Sequence, residues 1–245
     1  MSLHTPTKVV PFRVALDRTD DTVTAMAGLP LAAVTFDAAG LREACGGIHA
    51  KKIDKGPSDA DWVLCALLTI LMGGKTVEDA ERLKDDAGLR RALPGVKNFS
   101  ARYLLDFLYR FHDPKLVEAA RAAALAACPD CRPDKVGTRK SAKPHGHASI
   151  PEESSQLRGL NEVNRRLVAM VQQIDSQKTA TLDLDASIHA SRKKQALRTY
   201  EGERGYQPLV VTWAEQSLIV FDRFRDGNVP AAMGNKEVMQ EVLVN

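Results

Sequence analysis

Thr179-Ala-Thr-Leu-Asp-Leu-Asp-Ala-Ser187 alternates polar and apolar side chains, the pattern of a short strand with one face turned to a core. In a strand of this register Thr181, Asp183 and Asp185 share one face, and Ala180, Leu182 and Leu184 share the other. Two carboxylates side by side repel each other, and a fold keeps such a pair where a cation, a basic ligand or a proton neutralises them. The strand is therefore a candidate metal site. A strand-end carboxylate that accepts backbone donors accounts for the same residues.

Downstream, Ile188 to Tyr206 carries Arg192, Lys193, Lys194, Arg198 and Arg204 and leads into the turn signal Gly205-Tyr-Gln-Pro208. Leu209 to Trp213 and Leu218 to Phe224 are apolar runs separated by Glu215-Gln-Ser217, which predicts a β-hairpin closed by Asp226-Gly-Asn228. Pro230 to Val244 reads as the start of a helix. Upstream, Pro151-Glu-Glu153 opens a helix whose acidic first turn suits the helix dipole. Its apolar side carries Leu157, Leu160, Val163, Leu167, Met170, Val171 and Ile174.

The N-terminal half is helical in character. Ser58 with Asp61 forms a capping-box pattern before the apolar run Trp62 to Met72, which Gly73-Gly74 ends. Thr76-Val-Glu-Asp79 opens a second helix reaching about Asp86. A loop with Gly88, Pro94 and Gly95 then leads to Asn98-Phe-Ser100, the cap of a third helix with Tyr103, Leu104, Phe107, Leu108 and Phe111 on its apolar side. The three are compatible with a helix-turn-helix unit in which Arg102 and Arg110 face DNA, but a helical bundle with solvated arginines is the simpler reading and is preferred. Before them, Met1 to about Leu31 reads as an extended arm broken at Gly28-Leu-Pro30.

Between the halves lies Cys128-Pro-Asp-Cys131 and a basic stretch from Arg132 to His147 with Arg139, Lys140 and Lys143. With His145 and His147 it offers four zinc-type ligands, but the histidines stand closer together than finger spacing requires, and zinc is not expected. The cysteines then simply end a helix before a solvated linker, whose charge could track a DNA backbone. The formal net charge of +3 is too small to identify a partner. Four cysteines in 245 residues give no disulfide framework. There is no secretory-signal pattern, and the run from Trp62 to Met72 is about half of the roughly 20 residues a membrane helix needs. A cytoplasmic protein with no membrane partner is expected.

The order of these features resembles the bacterial insertion-sequence transposases of the DDE type, with the DDE-domain group-one branch as the nearest likeness. Asp185-Ala-Ser187, the basic loop, Gly205-Tyr-Gln-Pro-Leu209, the hairpin and Phe224-Arg-Asp-Gly-Asn228 carry it in the second half. Asp61-Trp62, Gly73-Gly74, Thr76-Val-Glu-Asp-Ala80 and Ser100-Ala-Arg-Tyr-Leu-Leu-Asp-Phe107 carry it in the first.

The resemblance implies an α+β chain: a helical N-terminal region over 1–128, a basic linker over 129–150, and over 151–245 a connecting helix with the first three strands and a helix of an RNase-H-like core. It implies transposition by polynucleotidyl transfer, with three carboxylates holding two Mg²⁺ or Mn²⁺ ions. Asp185 matches the first acidic position and Asp183 is the second choice as ligand. The other two carboxylates, an Asp and a Glu, are expected beyond Asn245, which implies a truncated enzyme with an open sheet edge beside the Asp185 strand. The implied partners are double-stranded DNA at the element's terminal inverted repeats, a second copy or a full-length transposase, in a nucleoid-associated setting. Arg102, Arg110, Arg139, Lys140, Lys143, Arg192, Lys193 and Lys194 are the candidate DNA contacts. A catalytically inactive DNA-binding fragment that modulates the complete enzyme is the alternative.

Overall fold

A computed structural model describes residues 23–50, 55–127 and 148–244. The expectations for the arm before Val23 and for Cys128, Cys131, Arg139, Lys140, Lys143, His145 and His147 lie outside the described residues. Helices occupy the first half and strands collect in the second, an α+β arrangement. The chain divides into two compact units, Met1–His112 with Ser155–Met170 and Asp113–Ser154 with Val171–Asn245. These limits differ from boundaries at 128 and 150, because one helix before the basic stretch falls in the second unit and most of the helix after it falls in the first.

In the first unit, α1 (Leu29–Ala38) is followed by α2 (Leu41–Ala44), α3 (Asp59–Leu71), α4 (Ala80–Asp85), α5 (Ala87–Ala92) and α6 (Ala101–Tyr109), with 3₁₀ turns at Cys45–Gly47, Val77–Asp79 and Pro94–Asn98. The Gly28-Leu-Pro30 stretch read as a break is instead the start of α1, since proline in a first turn has no intrahelical N–H bond to lose. The loop expected around Gly88 is α5. Asp86 makes it a helix by accepting from the Leu89 N–H at 2.7 Å.

The capping boxes of Ser58 with Asp61 and of Thr76 with Asp79 are both formed. α3 is the central element, burying Trp62, Leu64, Cys65 and Leu68. Around it close Phe36, Ile48, Leu83, Leu89, Val96, Leu104 and Phe107, and Leu160, Val163, Leu167 and Met170 of α8 (Ser155–Ile174) join this core. Each fully buried leucine here is worth about 1.5–3 kcal/mol relative to an exposed one. The apolar side expected for α6 narrows to Leu104 and Phe107, for Tyr103 and Leu108 are 60% and 42% exposed. α8 begins at Ser155 rather than at Pro151.

Several carboxylates of this unit are held below their usual range. Burial pushes Asp61 up, but the Ser58 N–H and hydroxyl and the Arg42 guanidinium together outweigh it. Asp79 is held down by the Lys75 and Thr76 N–H groups, and Asp86 by that of Leu89. A carboxylate with a depressed folded value stabilises the fold fully above the ordinary carboxylate range, and that contribution disappears as pH falls through the depressed value. The helical unit is therefore expected to hold constant stability near neutrality and to lose it progressively below about pH 4. A pH series of urea unfolding curves followed at Trp62 measures this, and a midpoint unchanged down to about pH 2 would contradict it.

The second unit contains α7 (Pro114–Ala127), six short strands and α9 (Asn235–Val244). β1 (Leu182–Ala186), β5 (Leu209–Trp213) and β6 (Leu218–Arg223) form an antiparallel sheet in the order β1-β5-β6. Strands expected from the Thr179–Ser187 alternation and from the Leu209–Trp213 and Leu218–Phe224 runs are present as these three. The basic stretch read as a loop holds three more, β2 (His189–Ala190), β3 (Leu197–Arg198) and β4 (Arg204–Tyr206), in a second sheet of order β2-β4-β3. These strands are two or three residues long and carry little apolar alternation, so periodicity could not reveal them. Leu182, Leu184 and Ala186 of β1 pack with Leu209, Val211, Val220 and Phe221 against Val238 and Val242 of α9.

Candidate functional site

The register of β1 decides where its carboxylates point. Leu184 stands opposite Val211 and Ala186 opposite Leu209, on the face that joins the core. Asp183 is paired with Thr212 and Asp185 with Val210, and both aspartates lie on the exposed face. The one shared face expected from alternation therefore holds for the pair. Ser187 donates its hydroxyl to Asp185 Oδ2 at 2.9 Å, which orients that carboxylate. Thr181, just before the strand, donates both its N–H and its hydroxyl to Glu215 at 2.8 and 2.6 Å and so ties the strand to the hairpin turn.

Asp222 on β6 is also paired with Val210, from the other side, so Asp185, Val210 and Asp222 form one row across the sheet. Partial burial pushes the Asp222 carboxyl up, against the pull of Arg223. Two strand spacings separate the backbone of Asp222 from that of Asp185 by roughly 9–10 Å. Among the described residues no group of three or more His, Cys, Asp or Glu stands together as a metal site. Asp183 and Asp185 fit one hydrated Mg²⁺, which needs only one or two carboxylates and completes its shell with water or phosphate oxygens. They do not provide for a second ion.

The cations expected to meet DNA are placed differently from one another. Arg192, Lys193 and Lys194 are exposed between β2 and β3, where the Ser191 hydroxyl accepts the Lys193 N–H at 3.3 Å. Arg198 and Arg204 of the same small sheet are exposed too. Arg102 is exposed on α6, whereas Arg110 is half-buried and donates to the Ala50 carbonyl at 2.9 Å, an anchor inside the helical unit. The structure does not bring Arg110 to a surface with Arg102 as freely as helical spacing implied.

The two glycine-containing motifs meet in space. A Cβ on Gly227 would lie 2.5 Å from the Gly205 carbonyl, and one on Gly205 would lie 2.5 Å from that of His189. Only glycine allows the chain after β6 to pass so close to β4. Asp226 pairs with Tyr206 across this crossing and accepts from Arg121 of α7 at 2.9 Å, with its side chain 6% exposed. Sequence reading did not single out Arg225, the largest fully buried side chain in the protein's described part. Its only signal was an arginine between Phe224 and the Gly227-Asn pair.

The sequence matches no protein-family model, no curated protein and no solved structure. No helix among the described residues is long and apolar enough to cross a membrane.

Proposed function

We propose that this chain is a DNA-binding protein of the transposition class, with Asp185, supported by Asp183, in the first metal-ligand position of an RNase-H-like core. The observation that carries the reading is the exposed carboxylate pair on β1, followed directly in the chain by the exposed cations Arg192, Lys193 and Lys194. The antiparallel order β1-β5-β6 with α9 after it supports the same reading. Bound Mg²⁺ or Mn²⁺ would supply charge stabilisation on a phosphate oxygen. The chain's own part is to hold that ion with Asp185 and Asp183, to orient Asp185 through Ser187, and to grip the DNA backbone with the basic segment. Double-stranded DNA carrying the inverted repeats of a mobile element is the proposed partner.

A donor set suited to one ion favours a second reading, in which the chain occupies element ends without cutting them and so modulates a complete transposase. Both readings require DNA binding. In a salt-dependent shift assay with repeat-bearing and scrambled duplexes, tighter binding to the repeats is expected. Replacing Arg192, Lys193 and Lys194 by glutamine should reduce the slope of log K against log salt by up to about 2.7, near 0.9 for each phosphate that is no longer neutralised. No binding by the native chain, or equal affinity for both duplexes, sinks the transposition reading.

A further inference from the structure

β3 and β4 form a hairpin whose tip is fixed by its own backbone. Thr199 N–H donates to Glu203 O at 2.7 Å, and Gly202 N–H donates to Thr199 O at 3.0 Å, which closes a turn over 199–202. Gly202 lies at φ 89°, the left-handed conformation that follows such a turn in a short hairpin loop. Tyr200 stands inside this turn. At 77% exposure its ring is the most open aromatic among the described residues, although the adjoining Thr199 is buried. A closed turn thus holds an aromatic ring out in water.

The strands beneath the ring are basic. Arg198 and Arg204 are opposite each other in the register of β3 and β4, so their side chains share a face. Like charges placed opposite each other destabilise a strand pair. Neither arginine has a carboxylate partner among the described residues: Arg198 donates to Gly202 O at 2.8 Å and Arg204 to Lys194 O at 3.4 Å, both backbone carbonyls. Arg192, Lys193 and Lys194 add to this charge, and the only carboxylates over 191–204 are Glu201 and Glu203. A polyanion relieves the excess. Its phosphates answer the cations but not the ring, which needs a flat, apolar partner. An unpaired nucleobase supplies that partner on the same phosphate chain. Inside a duplex both faces of a base are already covered by its neighbours.

We propose that this hairpin is a docking surface for unpaired DNA, with Tyr200 stacked on a base and Arg198 and Arg204 holding the adjoining phosphates. The inference rests on the DNA-binding reading of the basic segment and narrows it from the duplex backbone to a strand with an open base.

Fluorescence anisotropy on the full chain with two labelled probes, a single-stranded oligothymidine and a repeat-bearing duplex, tests it. Tyr200→Ala, an exposed substitution that leaves every charge in place, should weaken binding of the single strand about tenfold and of the duplex less than about twofold. Because no phosphate contact is lost, the slope of log K against log salt should stay the same. Tyr200→Trp should keep the single-strand affinity, and its tryptophan emission should be quenched by the oligothymidine more than that of the native chain. Unchanged single-strand affinity in Tyr200→Ala, or an equal loss on both probes, overturns the inference and leaves the DNA-binding reading standing. A native chain that binds neither probe overturns both.

Discussion

Phe107→Ala is expected to destabilise the helical unit by about 3–5 kcal/mol, a large part of the stability of a typical domain. Phe107 is 2% exposed and meets Phe111 edge to face, with ring centroids 5.1 Å apart. It lies in the cluster built around α3, so its removal leaves a void whose walls are helices already packed on other partners. Asp106, the residue before Phe107 and exposed, provides the contrast: Asp106→Ala should change stability by no more than about 0.5 kcal/mol. Trp62 belongs to this unit and Trp213 to the other. In a Trp213→Phe background, urea unfolding followed by fluorescence reports the helical unit alone. A loss under about 1 kcal/mol for Phe107→Ala would show that α6 is not part of this core.

The helical unit was largely legible because its signals are local. Ser58 and Asp61, three residues apart, form the capping box that starts α3, and a run of apolar side chains then repeats at helical spacing. Misreadings arose where one residue type has two meanings. Pro30 breaks a helix interior but is at home in a first turn, and Gly88 marked a loop until the Asp86 cap is taken into account. The hairpin was readable from Leu209 to Phe224, whereas β2, β3 and β4 depend on pairing between distant residues, such as His189 with Tyr206, that no local pattern encodes.

The site divides along the same line. That Asp183 and Asp185 share a face follows from strand alternation alone, and that this face is exposed follows from the apolar residues between them. Which cations remain at a surface does not follow. Arg102 and Arg110 look equivalent on a helix, but Ala50, sixty residues away, captures one of them. Asp222 enters the Asp185 row only through the register of two strand pairs, and Arg225 is buried only because the 230–234 turn folds back to give it carbonyls. A charge at the end of an apolar strand reads as solvated until tertiary structure covers it.

Gly159→Ala is expected to lower the stability of the helical unit by about 1–2 kcal/mol, against the direction of helix propensity. In an isolated helix the change would stabilise by about 1 kcal/mol, since glycine surrenders more backbone freedom than alanine. Gly159, however, lies on the apolar stripe of α8 four residues before Val163, and a Cβ there would lie 2.4 Å from Gly47 O and 2.6 Å from the Ile48 Cα. Both obstacles are backbone, held by the 3₁₀ turn that follows α2, so no side-chain rotation relieves the overlap. The helix must move off its core or the turn must open. Ala169→Gly on the exposed side of the same helix should also destabilise, by about 1 kcal/mol, because there propensity acts alone. Opposite substitutions on one helix are thus expected to act in the same direction, and urea unfolding at Trp62 measures both. A Gly159→Ala protein more stable than the native one would mean that α8 does not pack this closely on the turn at Gly47.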